Sequence, residues 1–85
     1  MLNKAKFDSP LSLYDAEGQA SLKILAILGG WETRRSFNEM GIHAGDRIRV
    51  LGRAPFGGPL LIDNRGTHVA VGKQLAKRIK VEVLP

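Results

Sequence analysis

The chain has 85 residues, a formal net charge of +5 and no cysteine, with 44% hydrophobic and 25% charged residues. This length fits one small domain, and the composition is typical of soluble globular proteins. No apolar run approaches the roughly 20 residues of a membrane span, and the first residues lack the apolar centre of a secretory signal. Without cysteine, disulfides and thiolate metal sites are excluded. We therefore expect a cytoplasmic protein.

The positive charge is concentrated in the second half of the chain. Residues 1–46 hold five Lys/Arg and six Asp/Glu, whereas residues 47–85 hold eight Lys/Arg and two Asp/Glu. A basic half is typical of proteins that bind nucleic acid, an anionic membrane surface or an acidic protein partner, although positive charge also increases solubility.

In chain order, the first predicted elements are two strands. Residues 1–10 form a flexible lead-in that ends at Pro10, and residues 11–14 form a short strand before a turn. Residues 20–28, ASLKILAIL, are rich in aliphatic side chains and lie between glycines, which predicts a longer strand.

A helix is predicted next, over residues 31–42. Gly41 supplies the left-handed residue that ends a helix, which places Phe37 and Ile42 at the two positions that make the hydrophobic contact of a Schellman motif. We therefore expect the helix to end at Gly41, with Phe37 packed on the sheet.

The second half predicts closely spaced strands. In residues 46–53, Ile48 and Val50 alternate with arginines, so one face of this strand should be buried and the other charged. Further strands are predicted over 60–63, 67–71 and 79–84, and the last of these should bury Ile79, Val81 and Val83. A tight hairpin is predicted at Asn64-Arg65-Gly66 and a short helix over 72–79. Close turns without crossover helices predict a small antiparallel barrel.

Several short motifs follow one another in this region: Glu39-Met40-Gly41-Ile42, Gly45-Asp46, Arg53-Ala54-Pro55-Phe56-Gly57-Gly58-Pro59, Arg65-Gly66, and Leu75-Ala76 leading to Ile79. In this order they resemble the FeoA-like domain, a small cytosolic component of bacterial ferrous iron uptake systems. The resemblance covers residues 11–84 as a single domain. It implies a mostly β fold, a small SH3-like antiparallel barrel with one inserted helix and a short helix before the last strand.

The resemblance also implies a function. Proteins of this kind are non-enzymatic accessory or regulatory proteins that dock on a membrane ferrous iron permease with a GTPase domain, in the cytoplasm and at the inner membrane through that partner. We expect no direct membrane insertion and no nucleic acid. The predicted partner-binding residues are the basic and loop residues Arg47, Arg49, Arg53, Pro55, Phe56, Gly57, Gly58 and Pro59.

Two alternative functions stay open. One is a small basic barrel that binds nucleic acid, which requires aromatic residues interleaved with cations on one exposed face. The other is a metal-responsive regulatory module that resembles the C-terminal domain of metal-dependent repressors.

Catalytic and metal chemistry find little support in the sequence. An Fe²⁺ site typically needs two histidines and a carboxylate, and here His43, His68 and Asp46 are candidates at predicted turn or outward positions. The segment from Gly66 to Lys73 lacks the spacing of a phosphate-binding loop. We therefore predict no metal site, no cofactor and no enzymatic activity.

The loop at residues 53–59 leaves one question open. Pro55 and Pro59 remove two backbone donors and the two glycines bend the chain, yet an aromatic residue, Phe56, stands between them. Phe56 either caps one end of the barrel or is held outward for a partner, or it does both with opposite edges of its ring.

Overall fold

Six antiparallel strands form one sheet in the order β1-β6-β2-β3-β4-β5. The computed structural model describes residues 11–16, 18 and 21–85, so the predicted lead-in at 1–10 lies outside the described residues. The strands are β1 (Leu11–Ser12), β2 (Ser21–Ile27), β3 (Arg47–Arg53), β4 (Leu60–Asn64), β5 (Thr67–Val71) and β6 (Ile79–Val83). The helices are α1 (Trp31–Glu39) and α2 (Lys73–Ala76). The mostly β, SH3-like fold with one inserted helix and a short helix before the last strand is confirmed.

Strand β3 shows the predicted alternation. Ile48 and Val50 are buried, while Arg47 and Arg49 are exposed. The pairing with β4 shifts register between Val50 and Gly52, which is a β-bulge. Because a bulge inserts one extra residue, the side chains beyond it change faces relative to a regular strand.

Helix α1 ends as the sequence predicts. The Ile42 N–H donates to the Phe37 carbonyl at 2.8 Å and the Gly41 N–H donates to the Asn38 carbonyl at 3.0 Å, which are the two bonds of a Schellman motif. Gly41 has a φ of +79°. Phe37 and Ile42 are both buried, so the end of the helix is also part of the core.

Three expectations differ from the structure. The short helix predicted over 72–79 is limited to Lys73–Ala76, because Ile79 already belongs to β6. The strand predicted over 11–14 is limited to Leu11–Ser12, since the side chain of Ser12 accepts a hydrogen bond from the Asp15 N–H and starts a 3₁₀ turn over Leu13–Asp15. Val83 is 58% exposed instead of buried. Strand β1 pairs with β6 only at Lys80 and Val81, so the end of β6 extends beyond β1, although β2 still pairs with it at Val83.

The core is a single apolar cluster with contributions from every strand except β1 and from both helices. It is completed by Leu13 and Ala16 near the start of the domain and by Ile42 after α1. The buried hydrophobic residues are Leu13, Ala16, Leu22, Ile24, Phe37, Ile42, Ile48, Val50, Leu60, Ile62, Val71, Ala76, Ile79 and Val81.

Candidate functional site

The loop between β3 and β4 is a closed hairpin end. The Ala54 N–H donates to the Pro59 carbonyl at 3.0 Å, and the Gly58 N–H donates to the Pro55 carbonyl at 3.1 Å. Within this inner turn, Phe56 and Gly57 have φ values of +59° and +73°. Two successive left-handed residues closed by such a bond are typical of a type I′ turn.

Phe56 stands at the tip of this loop and is fully exposed, at 103%. The interpretation in which Phe56 caps the barrel is therefore wrong, as is the one in which one edge of the ring packs inward. The tight turn closes on its own backbone and leaves the ring in solvent. A left-handed conformation costs an L-residue about 1–2 kcal/mol, and strain of this kind is concentrated at functional sites.

A cluster of cations surrounds Tyr14 beside the loop. The Nζ atoms of Lys73 and Lys77 lie 5.5 Å and 5.7 Å from the centroid of the Tyr14 ring, within the range of cation–π attraction. Arg53 Nη1 donates to the Tyr14 carbonyl at 2.8 Å. We call Tyr14, Arg53, Lys73 and Lys77, together with the loop tip at Phe56, the basic aromatic cluster.

The loop backbone at Gly57 lies close to Lys73 and Tyr14. A Cβ atom built on Gly57 would lie 3.6 Å from Lys73 Nζ and 3.9 Å from the Tyr14 hydroxyl. Among the described residues, Arg53, Lys73 and Lys77 take part in no ion pair, whereas Arg35 and Arg65 are each paired with a carboxylate. Three cations that form no ion pair with the described residues thus lie at Tyr14, close to the loop that carries the exposed Phe56, an arrangement suited to an acidic partner surface with an apolar pocket.

The predicted partner-binding residues do not all lie together. Arg53 and Gly57 lie close to Tyr14, and Pro55, Phe56, Gly58 and Pro59 belong to the same loop as Gly57. Arg53 lies opposite the buried Leu60, because the bulge has turned it to the inner side of the sheet.

Arg47 and Arg49 lie on the other face of β3, before the bulge. Arg47 is opposite Lys23 and Arg49 is opposite Asp63 across the neighbouring strands, and Glu82 in turn is opposite Lys23. Two carboxylates, Glu82 and Asp63, thus lie among the cations of this face, whereas no described carboxylate forms an ion pair with the cations of the basic aromatic cluster.

Sequence reasoning missed three members of the cluster: Tyr14, Lys73 and Lys77. The i, i+4 spacing of the two lysines was a usable signal, since it places them on one side of a helical segment. No sequence signal connects Tyr14 with them, because that contact depends on the packing of the 3₁₀ turn beside α2.

The two histidines belong to separate networks. His43 Nε2 lies 2.7 Å from Asn38 Oδ1, and His43 Nδ1 lies 3.7 Å from Asp46 Oδ2. His68 Nε2 lies 3.7 Å from Asp63 Oδ1, on the outer face of the sheet. Within residues 11–16, 18 and 21–85, no three His, Cys, Asp or Glu residues form a group that could hold a metal ion.

Asp46 has a structural role. It is buried and accepts hydrogen bonds from the His43 N–H at 2.8 Å and from Asn64 Nδ2 at 3.1 Å. Arg65 Nη2 lies 3.6 Å from its other oxygen, and Asn64 Nδ2 also donates to the Gly41 carbonyl at 3.0 Å. This network ties the end of α1 to the turn between β4 and β5.

The comparisons with a family model and with solved structures agree on one family. Residues 11–83 match the sequence model of the FeoA domain. The NMR structure of a FeoA-like protein from Clostridium acetobutylicum is 34% identical, with 89% of this chain and 88% of that chain covered and a TM-score of 0.80. The crystal structure of an iron uptake regulatory protein (FeoA) is also 34% identical, covering 87% and 97% of the two chains with a TM-score of 0.80.

The fold also occurs inside larger proteins. The apo form of the manganese-activated repressor ScaR is 20% identical, with 87% of this chain but 35% of that chain covered and a TM-score of 0.81. This likeness shows a shared fold. The search among curated proteins returned no match. In the described part of the chain, no helix has the length and apolar character needed to cross a membrane.

Proposed function

The chain belongs to the FeoA family, which is linked to iron uptake. From this premise we propose that it is a non-enzymatic accessory protein. It docks on the cytosolic part of a membrane ferrous iron permease with a GTPase domain. The basic aromatic cluster is the proposed docking surface. The proposal places the protein in the cytoplasm, at the inner membrane through its partner.

One observation carries the choice of surface. Phe56 is fully exposed on a turn that holds it in a left-handed conformation. The next residue, Gly57, lies close to Lys73, one of three cations at Tyr14 that form no ion pair in the described part of the chain. Aromatic residues in the centre of an interface commonly contribute most of its binding energy. Uncompensated cations around such an anchor increase the association rate with an acidic surface.

The test is calorimetric titration with the soluble GTPase domain of the permease from the same organism. Phe56→Ala should weaken binding by about 1–3 kcal/mol, or roughly 5- to 150-fold. Leu61→Ala is the matched control, because Leu61 is also exposed but lies on the outer face of β4, and it should leave the affinity unchanged. Absence of binding at low salt and high concentration, or equal effects of the two substitutions, would contradict the proposal.

A nucleic acid partner is the second candidate, because the cluster does interleave aromatic residues with cations. Tyr14, however, has two lysines against its ring, which leaves Phe56 as the one free ring of the cluster for stacking. Non-specific single-strand binding usually needs several stacking platforms along a groove. A salt-sensitive gel shift with single-stranded RNA or DNA that Phe56→Ala abolishes would favour this candidate over the permease.

A further inference from the structure

The turn between β2 and α1 projects a second apolar surface into solvent. Residues 28–32 are all exposed, and among them Leu28 is 47% and Trp31 66% exposed. The Leu28 N–H donates to the carbonyl of Arg78, the residue before β6, at 2.7 Å, so the backbone of the turn is held there while its apolar side chains are exposed. Large exposed apolar side chains that lie in one turn are typical of an interaction site.

Two arginines lie against this turn. Arg34 Nη2 donates to the Gly29 carbonyl at 3.4 Å, and Arg78 Nη1 donates to the Thr33 hydroxyl at 3.4 Å. A Cβ atom built on Gly29 would lie 2.9 Å from Arg78 Nη1, so this guanidinium packs on the backbone of the turn. Neither arginine is part of an ion pair among the described residues.

An open groove adjoins Trp31 and extends the apolar surface. Its volume is about 620 Å³, and Trp31, Ile27, Ile42 and Ala44 form its apolar lining. Arg34 and Arg35 border the groove, and Leu28 and Arg78 lie at the adjoining turn. The region therefore combines apolar side chains with guanidinium groups.

We propose that this turn binds the surface of an anionic membrane, with Trp31 and Leu28 at the headgroup level and Arg34 and Arg78 on lipid phosphates. Tryptophan favours the membrane–water interface because its ring is amphipathic. Arginine side chains near an anionic surface strengthen such binding. The proposed contact is peripheral, since it uses a few side chains of one turn at the headgroup level.

The side chains favour a membrane over a nucleic acid. An aliphatic residue such as Leu28 makes no hydrogen bond to a base edge, but it gains free energy when it enters the apolar side of the membrane interface. The inference does not depend on the proposed permease docking, because the turn uses none of the residues of the basic aromatic cluster.

Trp31 is the single tryptophan of the chain, so its fluorescence reports directly on this turn. The experiment mixes the full chain with vesicles of 70% phosphatidylcholine and 30% phosphatidylglycerol, and separately with pure phosphatidylcholine vesicles, with no partner protein present. We expect a blue shift of the emission and co-sedimentation with the anionic vesicles, both decreasing as salt is raised. No shift and no sedimentation at millimolar lipid would overturn the proposal.

Matched variants test the geometry. Leu28→Gln should lower the partition coefficient about 10-fold, and Arg34→Gln about 5-fold. The controls are Leu61→Gln, a leucine of similar exposure on β4, and Arg49→Gln, which removes the same charge from β3; each should change partitioning less than 2-fold. All of these side chains are exposed, and thermal melts verify folding.

Two further outcomes would refute the proposal. If Arg34→Gln and Arg49→Gln lowered the partition coefficient equally, the vesicles would be attracted by the net positive charge of the chain and not by this turn. A Trp31 emission change with single-stranded DNA or polyglutamate, but none with anionic vesicles, would assign the turn to another anionic partner. Because the permease titration is done without lipid and the vesicle assay without permease, failure of one does not affect the result of the other.

Discussion

Replacement of Gly41 by valine tests how α1 is terminated. Gly41 has a φ of +79°, and a Cβ atom built on it would meet no heavy atom within 4 Å. A new side chain at this position therefore has space, and any loss of stability must come from the backbone conformation. The residue is held there by the Schellman bonds and by the hydrogen bond from Asn64 to the Gly41 carbonyl, so it cannot readily adopt another φ.

The size of the effect follows from these contacts. A left-handed conformation costs an L-residue about 1–2 kcal/mol, and a β-branched residue is at the upper end or above it. For a domain of this length, each kcal/mol corresponds to a change in melting temperature of about 4–8 °C. Gly41→Val should therefore lower the melting midpoint by about 5–15 °C.

The assay is thermal and urea unfolding followed by circular dichroism, with Gly52→Val as the matched control. Gly52 also has open space around a built Cβ atom, but its φ is not in the left-handed region and it lies in strand β3. Valine is favoured in strands, so this variant should be neutral or more stable by up to about 1 kcal/mol. If both variants unfolded at the wild-type midpoint, the account of the helix end would be wrong.

The remaining predictions also concern stability. Phe56→Ala should change the free energy of unfolding by less than about 0.5 kcal/mol because the ring is fully exposed, whereas Phe37→Ala should cost about 3–5 kcal/mol as a buried ring; comparable losses in urea titrations would contradict this. Asp46→Ala should cost about 2–3 kcal/mol because Asn64 and a backbone N–H lose a buried acceptor, and an unchanged urea midpoint would refute the network. Gly29→Ala should cost at least about 1 kcal/mol, since φ is +122° and Cβ would lie within 3.0 Å of two side chains; a melt equal to wild type would count against it.

The local elements could be predicted from the sequence because each depends on near neighbours. The alternation of Ile48 and Val50 with arginines defines β3, and the Gly41-Ile42 pair defines the end of α1. The hairpin at Arg65-Gly66 follows in the same way, and both residues have positive φ, at +57° and +86°. In each case the residues that predict the element lie within a few positions of it in the chain.

The exposure of Phe56 could not be decided by the same means. The pattern of Pro55, Gly57, Gly58 and Pro59 predicts a turn, but not the side to which the ring points. That side is determined by the left-handed φ of Phe56 and by the hydrogen bond that closes the turn, because these set the direction of Cβ.

The composition of the candidate site depended on tertiary structure in a different way. The sequence places Arg47, Arg49 and Arg53 in one strand at spacings of two and four, which predicts a single basic face; the bulge after Val50 separates Arg53 from the other two. Tyr14 is 59 residues from Lys73 in the chain and approaches it only when the 3₁₀ turn packs beside α2. Periodicity can therefore identify the charged residues and their strands, whereas the site itself forms from a register shift and a long-range contact, neither of which has a local signature.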